Sequence, residues 1–409
     1  MGQFLHCWHA CRTVGSENCF TMSRLSEVSR RAVPFLKPIR NFRWILSVLF
    51  VFEALALPVS GQDLVEQELR IPAPGAGKKG LEAVMVRPNE PGPHPLALVN
   101  HGAPRAQGDR RKMTPWEMLP QAREFARRGW TTVIVMRRGY GDSGGGFAED
   151  ARACGRNPDY YGSAQESAND LRAAIAYLSK LPEVDPARII SIGRSAGGFA
   201  TVALAAKPPA GLVAGINFAG GRGSPAKDEV CNPADLIDAF RAFGKSSRLP
   251  MLWVYAQNDH FFSPQLAAEF YRAFTAGGGT AQFVSAGPFG ADGHGLFSLA
   301  GIPIWTSMVD DFLQSQNLIL RKTLLALPEA PGIDSPTQLS ERGRAEFRQF
   351  LTLPMHRAFA VSTSGHFGYS FGARTDRDAR RLAEERCLIS SEKKEPCVLY
   401  FVDDAKPSK

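Results

Sequence analysis

The sequence predicts an α/β fold: a mostly parallel central sheet with helices on both faces, followed by a small C-terminal α+β module. Three observations carry this. From residue 64 onward, short β-branched and apolar runs alternate with longer helical patterns, the order expected when helices return the chain to a parallel sheet. The composition is 44% hydrophobic and 22% charged over 409 residues, which allows one large core and a smaller unit. A Pro-containing stretch at 327–337 separates two differently patterned regions and reads as a linker.

Residues 1–61 read as a presequence. Arg24, Arg30, Arg31, Lys37, Arg40 and Arg43 precede an apolar run from Trp44 to Phe52, continued from Ala54 to Val59, the pattern of a secretory signal peptide. Val59 and Gly61 stand at the two recognition positions, so cleavage is expected just before Gln62. Glu53 and Pro58 interrupt the run, leaving it short of the ~20 apolar residues of a spanning helix. Met22 is an alternative start. The expected location is therefore secreted or periplasmic, with no stable membrane span after cleavage.

Cysteine usage fits export. Removing the presequence takes away Cys7, Cys11 and Cys19 and leaves Cys154, Cys231, Cys387 and Cys397, an even set with three possible pairings. The late pair is close in sequence and the early pair lies in polar loops, so Cys387 with Cys397 and Cys154 with Cys231 are expected; the alternative is four free thiols in a reducing compartment. The formal charge of +8 shrinks likewise, because residues 62–409 hold 41 basic against 37 acidic side chains. These alternate along the chain without a cluster, so nucleic acid is not an expected partner.

Residues 62–326 supply the large domain. Strands at 65–71 and 81–87 are expected to form an antiparallel edge, followed by buried strands at 96–100, 131–136, 188–192, 212–218, 251–256 and 280–285. Thr114, Pro115 and Glu117 look like a capping box with proline at the first helical position, opening a helix that ends at Gly129. Leu171, Ala174, Ile175 and Leu178 recur at helical spacing, predicting a helix over 163–181 with one apolar face. The module at 338–409 should contain helices at 338–351 and 376–388 and strands at 357–363, 366–371 and 397–402. Its alternating aromatics Phe359, Phe367, Tyr369 and Phe371 read as core, with a binding face as the other reading.

The segment RIISIGRSAGGFATVALAA places Ser195 in GxSxG between a β-branched strand and an alanine-rich helix. Small residues are needed there so that a sharp turn can pass close to its neighbours, while the helix N-terminus aims free N–H groups at a reacting carbonyl. The plain alternative is a tight turn with a capping serine. A second match, GDSGG at 141–145, resembles the serine signature of trypsin-like proteases, but no helix follows it and the chain is not all β. It is expected to be a flexible loop above the sheet, either with Arg138 and Tyr140 lining a pocket or with its glycines simply making turns.

A serine hydroxyl needs a base. Of His94, His101, His260, His294, His356 and His366, His294 sits in the small-residue loop GADGHGLF after the last large-domain strand, where an imidazole can reach a strand-end serine. Asp259, closing the strand MLWVYAQND, is the expected orienting carboxylate, with Asp292 its rival. His101, in NHG after the strand LALVN, is expected to pack beneath the loop, with a place in the pocket lining as its other reading. The backbone N–H groups of Ala103 and Ala196 are the expected oxyanion donors.

Together NHG at 100–102, GRSAGG at 193–198, ND at 258–259 and GHG at 293–295 make residues 64–316 resemble the dienelactone hydrolase and prolyl-oligopeptidase-like branch of the α/β-hydrolases. That resemblance implies an α/β-hydrolase fold, in the chain order Ser195, Asp259, His294, with no metal or organic cofactor. Dienelactone hydrolases proper carry cysteine where this chain has Ser195, which favours ester or peptide hydrolysis. The propeller usual in the prolyl-oligopeptidase branch has no counterpart in a blade repeat here. The expected activity is a serine esterase acting on a small-molecule ester. A peptidase of the same fold and an inactive module binding envelope material are the alternatives.

Overall fold

The computed structural model describes residues 63–406. The expected presequence at 1–61 and the cleavage expected before Gln62 lie outside the described residues. Eight strands form one sheet: β1 (Leu64–Ile71), β2 (Leu81–Pro88), β3 (His94–Asn100), β4 (Thr131–Val135), β5 (Val184–Arg194), β6 (Leu212–Phe218), β7 (Met251–Ala256) and β8 (Ala281–Ala286). Their order is β1-β2-β4-β3-β5-β6-β7-β8. β2 runs antiparallel to both β1 and β4, and every other pairing is parallel.

The central strands are buried on both faces, and their side chains divide with period two, as a pleated strand requires. Met251, Trp253 and Tyr255 of β7 face one apolar cluster, and Leu252, Val254 and Ala256 face the other. Helices α2 (Tyr160–Leu178), α3 (Ala196–Ala206), α4 (Pro233–Gly244) and α5 (Pro264–Ala276) contribute to the first cluster. Helices α1 (Leu119–Ala126) and α6 (Ile302–Ser315) cover the second. The alanine-rich α3 is buried on all sides; small side chains let it lie close to the sheet beneath the Ser195 turn.

The expected capping box at Thr114 does not form. A short 3-10 turn occupies Pro115–Met118 and α1 begins only at Leu119. The Thr114 hydroxyl instead donates to the carbonyl of Gly372 in the C-terminal module. A tertiary partner has taken the group that local capping would have used. No helix among the described residues is long and apolar enough to cross a membrane.

The C-terminal unit has α7 (Glu341–Phe350), β9 (Ala358–Ser362), β10 (Phe367–Ser370), α8 (Asp376–Ser390) and β11 (Cys397–Val402), with the antiparallel order β10-β9-β11. Phe359 is fully buried and stacks on Phe367 and Tyr369 at 5.5 and 6.0 Å between ring centres. Phe371 also packs against this cluster. The alternating aromatics are core. Arg374 Nη1 pairs with Glu82 Oε1 of β2 at 2.7 Å, and Arg123 Nη1 of α1 donates to the Thr352 carbonyl at 2.6 Å. Both expected disulfides are present, Cys154–Cys231 and Cys387–Cys397.

Candidate active site

Ser195 sits between the end of β5 and the start of α3 with φ 56° and ψ −124°, a backbone conformation that costs energy for a residue with a Cβ. The surroundings explain how the turn is held. A Cβ on Gly193 would lie 2.1 Å from the Gly197 carbonyl oxygen, and one on Gly197 would lie 2.4 Å from that of Asn100. The Ser195 N–H donates to the Phe218 carbonyl at 2.9 Å, and its carbonyl accepts from Phe199 N and Gly221 N. Gly102 abuts Ser195: a Cβ there would be 3.2 Å from that of Ser195.

Asp259 and His294 meet across 35 residues of sequence. His294 Nδ1 lies 3.0 Å from Asp259 Oδ2 and 3.2 Å from Oδ1. The carboxylate is buried and oriented from behind, since Oδ1 also accepts the N–H groups of Phe261 at 2.7 Å and Phe262 at 3.0 Å. The imidazole stacks on the Phe261 ring at 3.9 Å with 14° between planes. Asp292 does not compete for the ring. Its Oδ1 accepts the backbone N–H groups of His294 and His260, each at 3.0 Å, so it builds the loop. His260 itself pairs outward with Asp228 at 2.7 Å.

Ser195, Ala196, Ala103 and Phe261 line one cavity of about 510 Å³, and the same Phe261 ring carries His294. The hydrogen bonds of His294 in this state run to Asp259 through Nδ1 and to Asp292 through its backbone N–H.

The Arg138 pocket expectation needs correction, and for His101 the packing reading holds while the pocket-lining one is corrected. Arg138 lies elsewhere: its Nε bonds Asp170 at 2.5 Å and its Nη2 bonds Glu166 at 2.7 Å, beside a separate cavity lined by Pro72 and Lys180. His101 is buried under the loop and does not line the cavity. Its Nδ1 donates to the Gly102 carbonyl at 2.6 Å and its Nε2 accepts the Arg137 N–H at 3.1 Å. Burial, with the Arg137 charge beside it, pushes the His101 imidazole well below its usual range and keeps it neutral. Tyr140 does line the cavity, but its hydroxyl is turned onto Glu149.

The GDSGG loop is pinned rather than free. Ser143 is buried; its hydroxyl donates to the Met136 carbonyl at 2.6 Å and accepts the Glu82 N–H at 2.9 Å. Asp142 pairs with Arg70 and Lys79.

Sequence reasoning missed several cavity residues. Arg105 stands 3.6 Å over the Phe261 ring; as His294 stacks on that ring too, the two occupy opposite faces. Arg222 and Glu149 also line the cavity, and Glu149 joins Arg222 at 2.6 Å and the buried Arg137. Burial alone would raise the Glu149 carboxyl, yet the two guanidinium groups hold it well below the usual range. Nothing in local patterning marks a buried charge whose partners lie 12 and 73 residues away.

A family model described as the S15 family of X-Pro dipeptidyl-peptidases matches residues 77–224, a span that contains Ser195 and ends before Asp259 and His294. No curated protein sequence matches the chain. Solved structures similar to it include a protein described as a putative dienelactone hydrolase from Klebsiella pneumoniae, at 18% identity, covering 61% of this chain and 99% of that one with a TM-score of 0.43. Another is a Pyrococcus furiosus esterase at 14% identity, with 62% and 90% covered and a TM-score of 0.43. A third is the Pyrococcus horikoshii acylaminoacyl peptidase at 17% identity, with 67% and 43% covered and a TM-score of 0.45. The sheet order, with its antiparallel second strand and a strained strand-to-helix serine turn, is that of an α/β-hydrolase fold.

Proposed function

We propose that the protein is an exported serine hydrolase cleaving carboxylic esters. Ser195 Oγ attacks the ester carbonyl carbon while His294 takes its proton. The charge that develops on the carbonyl oxygen is met by the N–H groups of Ala103 and Ala196. Collapse expels the alcohol, which receives the proton from His294, and water then releases the acid from the acyl-enzyme. Asp259 fixes the imidazole with its Nδ1–H toward the carboxylate and stabilises the imidazolium. The observation that supports this most directly is the hydrogen bond from His294 to the buried Asp259 carboxylate beside the cavity onto which the Ser195 turn opens.

A peptidase of the same fold is the second reading, favoured by the match to the S15 peptidase model. Export draws support from the two disulfides, which persist in oxidising compartments. The division into a hydrolase domain at 62–326, a linker at 327–337 and a module at 338–409 draws support from the module's separate apolar clusters.

A chain-length series of nitrophenyl esters, run beside an aminoacyl-prolyl anilide on wild type and Ser195→Ala, tests both readings. Ester turnover and fluorophosphonate labelling that vanish in Ser195→Ala are expected. Labelling that survives the substitution defeats the assignment, and anilide turnover exceeding that of every ester selects the peptidase.

A further inference from the structure

The cavity wall contains a buried carboxylate that the proposed reaction leaves without a task. Glu149 accepts from the Arg137 guanidinium through Nε and Nη2, from Arg222 Nη2 at 2.6 Å, and from the Tyr140 hydroxyl at 3.1 Å. Its side chain and that of Arg137 are almost wholly shielded from solvent. A buried ion pair of this kind contributes little to net stability over an apolar filling, because desolvation offsets much of the attraction. What it does supply is a fixed geometry, and the second contacts of Arg137 show where that geometry is delivered.

Arg137 Nη1 donates to the His101 carbonyl at 2.9 Å, and its backbone N–H donates to His101 Nε2 at 3.1 Å. His101 Nδ1 in turn closes on the Gly102 carbonyl at 2.6 Å. The peptide units at 101 and 102 are thereby held from beneath by one guanidinium and one neutral imidazole. Gly102 lies directly against Ser195, and Ala103 follows it into the cavity. The chain from Glu149 through Arg137 to His101 thus ends on the segment whose next N–H, that of Ala103, faces the reacting oxygen in the proposed reaction.

We infer that Glu149 is a positioning residue: through Arg137 it locks the 101–103 segment so that the Ala103 N–H is aimed at the oxyanion. This rests on the serine hydrolase reading. Losing one preorganised oxyanion donor outright costs ~10²–10³ in kcat, and misaiming one costs part of that. The signature is specific. The oxyanion exists only in the transition state and in tetrahedral adducts, so kcat must fall while ground-state binding stays.

The test compares wild type, Ser195→Ala, Glu149→Gln and Glu149→Asp with nitrophenyl acetate as substrate and phenylboronic acid, which forms a tetrahedral adduct on serine, as inhibitor. Glu149→Gln is expected to lower kcat about 10- to 100-fold, with KM within about threefold, and to raise the boronate inhibition constant by the same factor as kcat falls. Glu149→Asp, which keeps the charge but withdraws the carboxylate, should fall between it and wild type, and it decides the matter if Glu149→Gln does not fold. Folded variants with unchanged kcat and unchanged boronate affinity overturn the inference. So does a rise in KM alone, which would mean that Glu149 acts through Arg222 on substrate binding. Wild type without turnover or fluorophosphonate labelling defeats the hydrolase reading, and this inference with it.

Discussion

Replacing Asp259 with asparagine isolates what the carboxylate does, and the structure dictates how the substituted amide must sit. Asp259 Oδ1 accepts two backbone N–H groups, from Phe261 and Phe262. An amide NH2 cannot accept, so in the variant the side-chain carbonyl takes that place and the NH2 faces His294 Nδ1. The imidazole must then accept at Nδ1 and carry its proton on Nε2, the nitrogen that takes the proton of Ser195 in the proposed reaction. The electrostatic loss adds to this. With charge centres ~4 Å apart and an effective dielectric of ~20, the carboxylate stabilises the imidazolium by about 4 kcal/mol, roughly three powers of ten in rate. Asp259→Asn is therefore expected to lower kcat on a nitrophenyl ester about 10³- to 10⁴-fold, with KM and the thermal midpoint little changed. Asp292→Asn, which touches only backbone N–H groups, should keep kcat within about tenfold, a loss worth at most ~1.4 kcal/mol. Initial rates measured across pH on both variants check the reasoning. It fails if Asp259→Asn keeps more than a tenth of the wild-type kcat, or if Asp292→Asn is the more damaging change.

The remaining predictions concern the frame around the site. Gly197→Ala would put a methyl 2.4 Å from the Asn100 carbonyl and 2.5 Å from that of His101; a forced backbone shift costing ~1–3 kcal/mol is expected, seen as a lower thermal midpoint and at least a tenfold loss of esterase rate. His101 is held neutral in the folded protein, so below the ordinary histidine range the unfolded chain takes up a proton that the native state refuses. Stability should therefore fall as pH drops from about 7 to 5, by up to ~1.4 kcal/mol per pH unit, and calorimetry of His101→Gln should show a shallower decline. The Cys154–Cys231 bridge closes a 77-residue separation and Cys387–Cys397 one of 10 residues. Chain entropy then assigns roughly 4 and 3 kcal/mol to the two, so a Cys154→Ala, Cys231→Ala variant should melt below a Cys387→Ala, Cys397→Ala variant; the opposite order would count against this account.

Local chemistry made much of the molecule legible in advance. The strands at 212–218 and 251–256 stand where apolar and β-branched runs placed them, because a buried strand's sequence is dictated by its surroundings on both faces. The glycines of GRSAGG and the helix-forming run after them exposed the Ser195 turn, since only small residues tolerate the close backbone approaches found at 193 and 197. The expected link between Asp259 and His294 also follows from a readable rule, as strand-end loops converge at one edge of a parallel sheet.

What the sequence left open is what depends on distant partners. Thr114 has the form of a helix cap and serves instead as a donor to the C-terminal module. Arg137 and Arg138 are adjacent and chemically alike, yet just past the end of β4 one turns beneath the site to Glu149 and the other to Asp170 beside another cavity. Local pattern determined the core strands, the helix over Tyr160–Leu178 and the serine turn, because propensity and periodicity act over a few residues. Tertiary structure alone decided which charges are buried together and which ring supports His294, because burial and pairing energies arise only once segments remote in the chain have met.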